Sequence, residues 1–214
     1  FDGYISCTLF TGGCNYRCPF CHNSPLIKEQ PLLDMDEIVK YLTSRKKMLD
    51  AVVITGGEPT LHQELPLYIK QIKDLGFIIK LDTNGTNPKM LKDLIDNKLI
   101  DYVAMDIKTS SNCYNVVTGV VNPFTDKVKE SINILKESNI NYEFRTTLVK
   151  EYHTNDTIKE MKELVNGSKK LFLQRFVLRD TCINQDLHEV DIDTANIYKT
   201  ILEDVVEKVA LRGY

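Results

Sequence analysis

The sequence predicts a parallel α/β fold, an incomplete (β/α)6 barrel of the TIM type with one side open. Short β-prone apolar runs alternate with segments of helical spacing, six times in succession. Such alternation calls for a parallel sheet with helices packed outside it. Six units fall short of a closed barrel. No low-complexity linker interrupts the series, so residues 1–214 read as a single domain. A doubly wound open sheet is the alternative arrangement of the same elements.

Strands are expected at about Tyr4–Phe10, Ala51–Thr55, Phe77–Asp82, Asp101–Asp106, Tyr142–Leu148 and Leu171–Val177. The first helix sets Met35, Ile38, Val39 and Leu42 on one face, with Asp34 placed to cap it and Glu37 to complete a capping box. The second runs from about Gln63 to Leu75 and stops at Gly76. Asn87-Pro88 opens the third, with proline at the first position, where its missing N–H is harmless. Val128, Ile132 and Leu135 carry the fourth to near Asn139, and Ile158, Met161 and Val165 carry the fifth to Gly167. Ile197, Ile201, Val205 and Val209 recur every fourth residue along the sixth.

A chain that is 43% hydrophobic and 27% charged can bury a sizeable core and stay soluble. Its net charge of -3 gives no general surface for polyanions, which argues against a nucleic-acid partner. No apolar run approaches the roughly 18 residues of a membrane span. Six cysteines in a chain of this length do not suggest a small stapled domain. Cys7, Cys113 and Cys182 have no CxxC partners and are expected as buried free thiols, with a reducing cytoplasm as the compartment. The chain starts at Phe1 rather than methionine, which leaves room for preceding residues, a targeting segment among them.

The chemistry gathers first in Gly12-Gly13-Cys14-Asn15-Tyr16-Arg17-Cys18-Pro19-Phe20-Cys21-His22-Asn23. The CxxxCxxC spacing lets Cys14, Cys18 and Cys21 converge on one metal centre. An iron–sulfur cube normally takes four cysteines, so three leave one iron open to a small molecule. A Cys3His zinc site with His22 is the alternative. It is disfavoured because His22 adjoins Cys21 and no second ligand pair follows at zinc-finger spacing.

The remaining polar motifs fall at strand ends. Gly56-Gly57-Glu58-Pro59 follows the second strand, and Asp82-Thr83-Asn84-Gly85 ends the third. Asp106 and Lys108 end the fourth, Arg145 lies within the fifth, and Gln174, Arg175 and Arg179 lie in or beyond the sixth. Ligands of parallel α/β folds bind outside the carboxyl ends of strands, so this chemistry lands on one rim. Each motif also has a plainer reading. The glycine pair and Asn84-Gly85 suit tight turns, Asp106 and Lys108 suit a rim ion pair, and Arg145 suits a buried arginine satisfied by a carboxylate. Against these stand close backbone approach to a ligand at Gly56-Gly57, Glu58 as an acceptor for a cation or ammonium, Asp82 as an acceptor for ribose hydroxyls, and Arg145 as a substrate anchor.

Together these motifs resemble the radical SAM superfamily. The likeness rests on CxxxCxxC with Phe20 before its last cysteine and on Gly56-Gly57-Glu58 about one βα unit later, and it spans nearly all six units. It implies one 4Fe–4S cluster held by Cys14, Cys18 and Cys21, with S-adenosylmethionine at the open iron through its amino and carboxylate groups. Glu58 and the Gly56-Gly57 backbone would hold the methionyl ammonium, with Phe20 near adenine and Asp82 near ribose. Reductive cleavage would then yield a 5′-deoxyadenosyl radical.

Within the superfamily, Cys21-His22-Asn23 and Leu81-Asp82-Thr83-Asn84-Gly85 are similar to the glycyl-radical enzyme activases. Lys80–Pro88 and Asp101–Lys108 are most similar to the activating proteins of anaerobic ribonucleotide reductase. By that likeness Asp82, Thr83 and Asp106 lie near S-adenosylmethionine and a monovalent cation, with Asn84 in the same segment. Lys108 and Arg145 match a lysine and a fifth-strand arginine of the family. Gln174 stands nearest to a histidine that the formate-lyase activase uses and this chain lacks. The implied partners are a glycyl-radical enzyme as protein substrate and a reduced flavodoxin- or ferredoxin-type electron donor. An open barrel side suits a protein segment as substrate, and Thr109–Gly119 and Arg179–Asp191 are the candidate docking surfaces. A compact relative, 7-carboxy-7-deazaguanine synthase, typically carries Gln-Gly-Glu-Gly before the cysteine loop and Asp-Thr after it; both are missing here. A zinc-stabilised binding module is the reading outside enzymes.

Overall fold

Parallel pairing needs a crossover at every step, and the chain supplies a helix for each. The computed structural model describes residues 1–28 and 33–214. Its strands are β1 (Ser6–Thr11), β2 (Ala51–Gly56), β3 (Ile78–Thr83), β4 (Tyr102–Asp106), β5 (Asn141–Leu148), β6 (Ser168–Arg175) and β7 (Val206–Arg212). They form one sheet in sequence order, with every neighbouring pair parallel. β1 and β7 do not pair with each other, so the sheet keeps two free edges. The crossovers are α1 (Met35–Arg45), α2 (Leu65–Asp74), α3 (Pro88–Asp96), a short α4 (Tyr114–Thr118) followed by α5 (Thr125–Glu137), α6 (Asn155–Val165) and α7 (Ile192–Glu203).

Local chemistry sets several boundaries. Asp34 accepts from the Glu37 N–H at 2.8 Å, and Glu37 accepts from the Asp34 N–H at 3.2 Å, which closes the expected capping box on α1. Asn87 accepts from the Met90 N–H ahead of α3, with Pro88 in its first turn. Gly76 follows α2 with φ +91°, a conformation that costs any other residue a clash. One face of the sheet is oily. Val52, Ile54, Ile79, Leu81, Val103, Met105, Phe144, Leu171 and Leu173 are buried there in the core. The alternating residues Lys80, Asp82, Asp106, Glu143 and Arg145 carry charge on the other face and are only slightly exposed.

The largest departure from expectation is at the carboxyl end. The four-residue spacing of Ile197, Ile201, Val205 and Val209 suggests one helix, but α7 ends at Glu203 and Val206–Arg212 is β7. The buried face of α7 is Ala195, Tyr198 and Leu202, while Ile197 is 52% exposed. Valines at 205, 206 and 209 favour a pleated strand, and β6 offers an unpaired edge. Elsewhere the shifts are small. β1 starts at Ser6, α2 at Leu65, α5 ends at Glu137, and β6 runs from Ser168 to Arg175. The segment Thr109–Gly119 contains the unanticipated α4. Cys182 is buried, but Cys7 and Cys113 are only half-buried; all three are free thiols. No helix among the described residues is long and apolar enough to cross a membrane.

One buried histidine ties together the turns that follow β4 and β5. His153 Nε2 lies 3.0 Å from the Lys108 carbonyl, which can only accept, so Nε2 carries the proton. Nδ1 lies 3.0 Å from both the N–H and the carbonyl of Val149. Burial pulls its pKa below the ordinary value. The unfolded chain therefore takes up a proton below about pH 6.5 that the folded ring refuses, and stability falls as pH drops through that range. Urea unfolding at pH 7.5 and 5.5 checks this: the loss between the two should shrink in His153→Gln, and an unchanged loss would exclude the histidine as its source.

Candidate active site

The cysteine loop leaves β1 with little regular structure, so other segments must hold it. Gly13 turns it with φ +78°, and its N–H donates to the Leu26 carbonyl at 2.8 Å. The turn after β2 lies directly upon it: the Glu58 N–H donates to the Gly13 carbonyl at 2.8 Å. A Cβ on Gly57 would collide with that same carbonyl, and one on Gly56 (φ +124°) with the Thr11 backbone. The glycine pair thus permits one backbone to approach another.

Glu58 is fully buried and saturated with protein donors. Oε1 accepts from the Thr60 N–H (3.1 Å), the Thr60 hydroxyl (2.5 Å) and the Thr83 hydroxyl (2.7 Å), and Oε2 accepts from the Asn84 N–H (2.6 Å). Burial raises its pKa against the pull of these donors. The carboxylate therefore locks the β2 turn to the β3 turn. Asn84 continues the chain of bonds by donating to the Asn15 side chain at 2.9 Å, and Asn15 donates to Thr86 at 2.9 Å.

Partners distant in sequence brace the rest of the loop. The Arg17 N–H donates to the Thr118 carbonyl, the Asn184 N–H to the Pro19 carbonyl, His62 bonds the Gly12 carbonyl and Tyr16 the Pro123 carbonyl. The Thr109–Gly119 and Arg179–Asp191 segments thus both pack on the cysteine loop. His22 is committed as well: Nε2 bonds the Val177 carbonyl at 2.7 Å, and its ring stacks on Phe176. It serves as an anchor rather than as a fourth zinc ligand.

Every residue singled out from the sequence as a site residue lines one cavity of about 260 Å³ at the carboxyl ends of the strands. Those are Cys14, Cys18, Phe20, Cys21, Gly56, Gly57, Glu58, Asp82, Thr83, Asn84, Asp106, Lys108 and Arg145. Tyr16, Asn23, Ile27 and Thr147 also line it. Tyr16 and Asn23 belong to the cysteine-loop motif, as does His22, which also lines the cavity; no local pattern marks Ile27, and Thr147 lies two residues beyond Arg145 on the same strand face. Gln174 lines the cavity too, whereas Arg175 turns away and pairs with Glu189 at 2.6 Å.

The charged wall is an alternating chain. Lys108 Nζ is 2.8 Å from Asp106 Oδ2, Arg145 Nε is 3.1 Å from Asp106 Oδ1, and Arg145 Nη1 is 3.1 Å from Asp82 Oδ2. Both plain readings hold here, since Asp106 and Lys108 pair and Arg145 is satisfied by carboxylates. Although burial pushes the Asp106 carboxyl up, Lys108 and Arg145 hold it below the ordinary range. Asp82 Oδ1 is different: it is buried without any hydrogen-bond partner.

Burial pushes the Cys18 thiol up to about 12, with the Lys108 ammonium pulling the other way, and raises Cys14 and Cys21. Such thiols ionise when a metal takes them as ligands. Among the described residues, no three His, Cys, Asp or Glu side chains gather closely enough to share a single ion. All three thiols line the cavity.

Residues 8–165 match the radical SAM superfamily. The chain belongs to that superfamily. It is a family of enzymes that use S-adenosylmethionine and a 4Fe–4S cluster, and the three-thiol cavity with its unpartnered carboxylate oxygen is a donor set suited to both. The Methanocaldococcus jannaschii protein named "Putative glycyl-radical enzyme activating enzyme MJ1227" is 34% identical over 180 residues, covering 82% of this chain and 74% of that protein. A 7-carboxy-7-deazaguanine synthase from Rickettsia prowazekii is 38% identical over 92 residues, covering 40% of this radical SAM chain and 38% of its own. Among solved structures, Streptococcus suis SuiB bound to S-adenosylmethionine superposes with a TM-score of 0.76 at 14% identity. That match covers 98% of this chain and 50% of SuiB, and the likeness is one of fold.

Arg145 is the single cation shared by Asp82 and Asp106. Removing it leaves Asp106 with Lys108 and Asp82 with only Lys80 at 3.7 Å, so Arg145→Met should cost about 1–3 kcal/mol of stability. Anaerobic urea denaturation measures it. A loss below about 1 kcal/mol would show that other cations neutralise the pair.

Proposed function

We propose that this protein activates a glycyl-radical enzyme, most like the anaerobic ribonucleotide reductase type, by hydrogen abstraction from a partner glycine. The observation that carries the reading is the single rim cavity where the cysteine loop, the Asp82–Gly85 turn and the Asp106/Lys108 pair meet. The segments that build it, Lys80–Pro88 and Asp101–Lys108, are those resembling the reductase activating proteins. Similarity to MJ1227 along 82% of the chain supports it, whereas similarity to the deazaguanine synthase extends over less than half.

In this reading Cys14, Cys18 and Cys21 hold a 4Fe–4S cluster with one iron left for S-adenosylmethionine. Bound together, the two supply reductive cleavage to a 5′-deoxyadenosyl radical. The chain's own residues hold and orient. Phe20, 7% exposed, gives the adenine an apolar wall, and the Gly56-Gly57 backbone faces the methionyl end beside Glu58. Asp82, whose Oδ1 makes no hydrogen bond and lies 3.7 Å from the Lys80 ammonium, would be the acceptor for ribose hydroxyls or a monovalent cation. Lys108 and Arg145, already paired, act as positioning residues that fix Asp106 and Asp82. The partner would dock beside the Arg179–Asp191 segment, where Val177, Leu178 and Ile183 are exposed. Thr109–Gly119 also offers an exposed apolar side chain, Val116.

Anaerobic reconstitution should give a brown protein that cleaves S-adenosylmethionine once reduced by flavodoxin or ferredoxin. Cys18→Ala should lose the iron–sulfur absorbance and the cleavage together; cleavage retained in that variant would rule out the ligand assignment. With the correct partner, electron paramagnetic resonance should record a glycyl doublet. Active cleavage with no doublet on any glycyl-radical enzyme, and turnover of a pterin instead, would move the chain to the deazaguanine synthase reading.

A further inference from the structure

A second cavity of about 410 Å³ opens toward the amino ends of the strands, opposite the cysteine loop. Its size falls within the range of small-molecule sites. Four cationic side chains line it, Lys80, Lys170, Lys208 and Arg212, against the carboxylates of Asp2 and Glu143. That local surplus is positive in a chain whose net charge is -3.

The carboxylates are already engaged. Glu143 is buried, accepts from the Tyr102 hydroxyl at 3.0 Å, and lies 3.3 Å from Arg212 Nη1. Asp2 is almost fully exposed and only reaches Arg212 at 4.0 Å. Lys80 is 9% exposed, yet its ammonium makes no hydrogen bond to any described residue. Its nearest carboxylate oxygens, Asp82 Oδ1 at 3.7 Å and Glu143 Oε1 at 3.8 Å, are beyond hydrogen-bond reach. Buried lysines are rarely left so. Tyr102 and Phe1 offer only ring faces to it, at 5.7 Å.

Lys170 and Lys208 add a second oddity. They are direct register partners on β6 and β7, so their side chains share one face. Like charges opposite each other on neighbouring strands are destabilising, and no carboxylate among the described residues lies within 4.0 Å of either. The amino-terminal face of a parallel barrel ordinarily serves stability, but a stabilising cluster would pair its charges. Arg212 is held flat over Phe172 at 3.9 Å, which presents its guanidinium in a fixed plane.

We propose that this lower cavity binds a small, multiply charged oxyanion, phosphate- or carboxylate-bearing. Lys170 and Lys208 supply ammonium donors with no carboxylate within 4.0 Å, Lys80 one held only loosely by Asp82 and Glu143, and Arg212 a preset planar donor edge. The site lies on the face opposite the cysteine loop and shares no lining residue with the upper cavity.

The test is calorimetric titration of the reconstituted full chain with pyrophosphate and, separately, with citrate, at constant ionic strength. One saturable site is expected, weakened about tenfold or more in Lys170→Ala/Lys208→Ala. That variant should keep its circular dichroism spectrum and its S-adenosylmethionine cleavage, since neither lysine lines the upper cavity. Binding of pyrophosphate alone assigns a phosphate ligand, and binding of citrate alone a carboxylate. Saturation by neither, or equal affinity in the double variant, would overturn the site.

Discussion

Four charged side chains on the wall of the rim cavity constrain the site around them. Asp82, Asp106, Arg145 and Lys108 stand on β3, β4, β5 and the turn after β4, and burying any one alone would cost several kcal/mol. They alternate in sign, and each pairs with its neighbour at 3.1 Å or less. Strand register makes this possible, since Asp106 and Arg145 are direct partners across β4 and β5. The carboxyl ends of three strands are thereby held by side chains as well as by backbone. Lower down the alternation continues more loosely. Lys80 stands between Asp82 and Glu143, and Arg212 bonds Glu143. The two cavities are thus the two ends of one charge ladder. An anion at the lower end would compete for Lys80 and Arg212, the cations that neutralise Asp82 and Glu143.

The cysteine loop solves a different problem. It has no ladder of its own, yet its three thiols line one cavity. The structure borrows rigidity from neighbours: Glu58 joins two turns through four donors, and the glycine pair lets the second turn lie against the loop backbone. A carboxylate so saturated has little capacity left for a ligand. Its effect on a bound molecule would come mostly through the backbone it fixes.

Much of this was legible in the chain because it is local. Caps at Asp34 and Asn87, the stop at Gly76 and the alternation of strand and helix each follow from a few adjacent residues. The rim location of Cys14, Glu58, Asp82, Asp106 and Arg145 followed from where strands end. What escaped depends on distant contacts. His22 meets Val177 across 155 residues, and Asn184 meets Pro19 across a similar span. The strand Val206–Arg212 escaped because valine spaced by four suits a helix face, and only the free edge of β6 decides otherwise. Only strand register places Lys170 and Lys208 side by side.

Lys108 links the two halves of the site. Its ammonium neutralises Asp106 and is also the main influence that lowers Cys18, opposing burial. Its carbonyl accepts from His153, so its backbone is held from below while its amine reaches up between carboxylate and thiols. A thiolate ligand set carries negative charge into a space that already holds Asp82 and Asp106. The cation that balances the carboxylates is therefore the one best placed to favour the thiolates. On this geometry Lys108 connects the outer end of the charge ladder to the thiols of the cysteine loop.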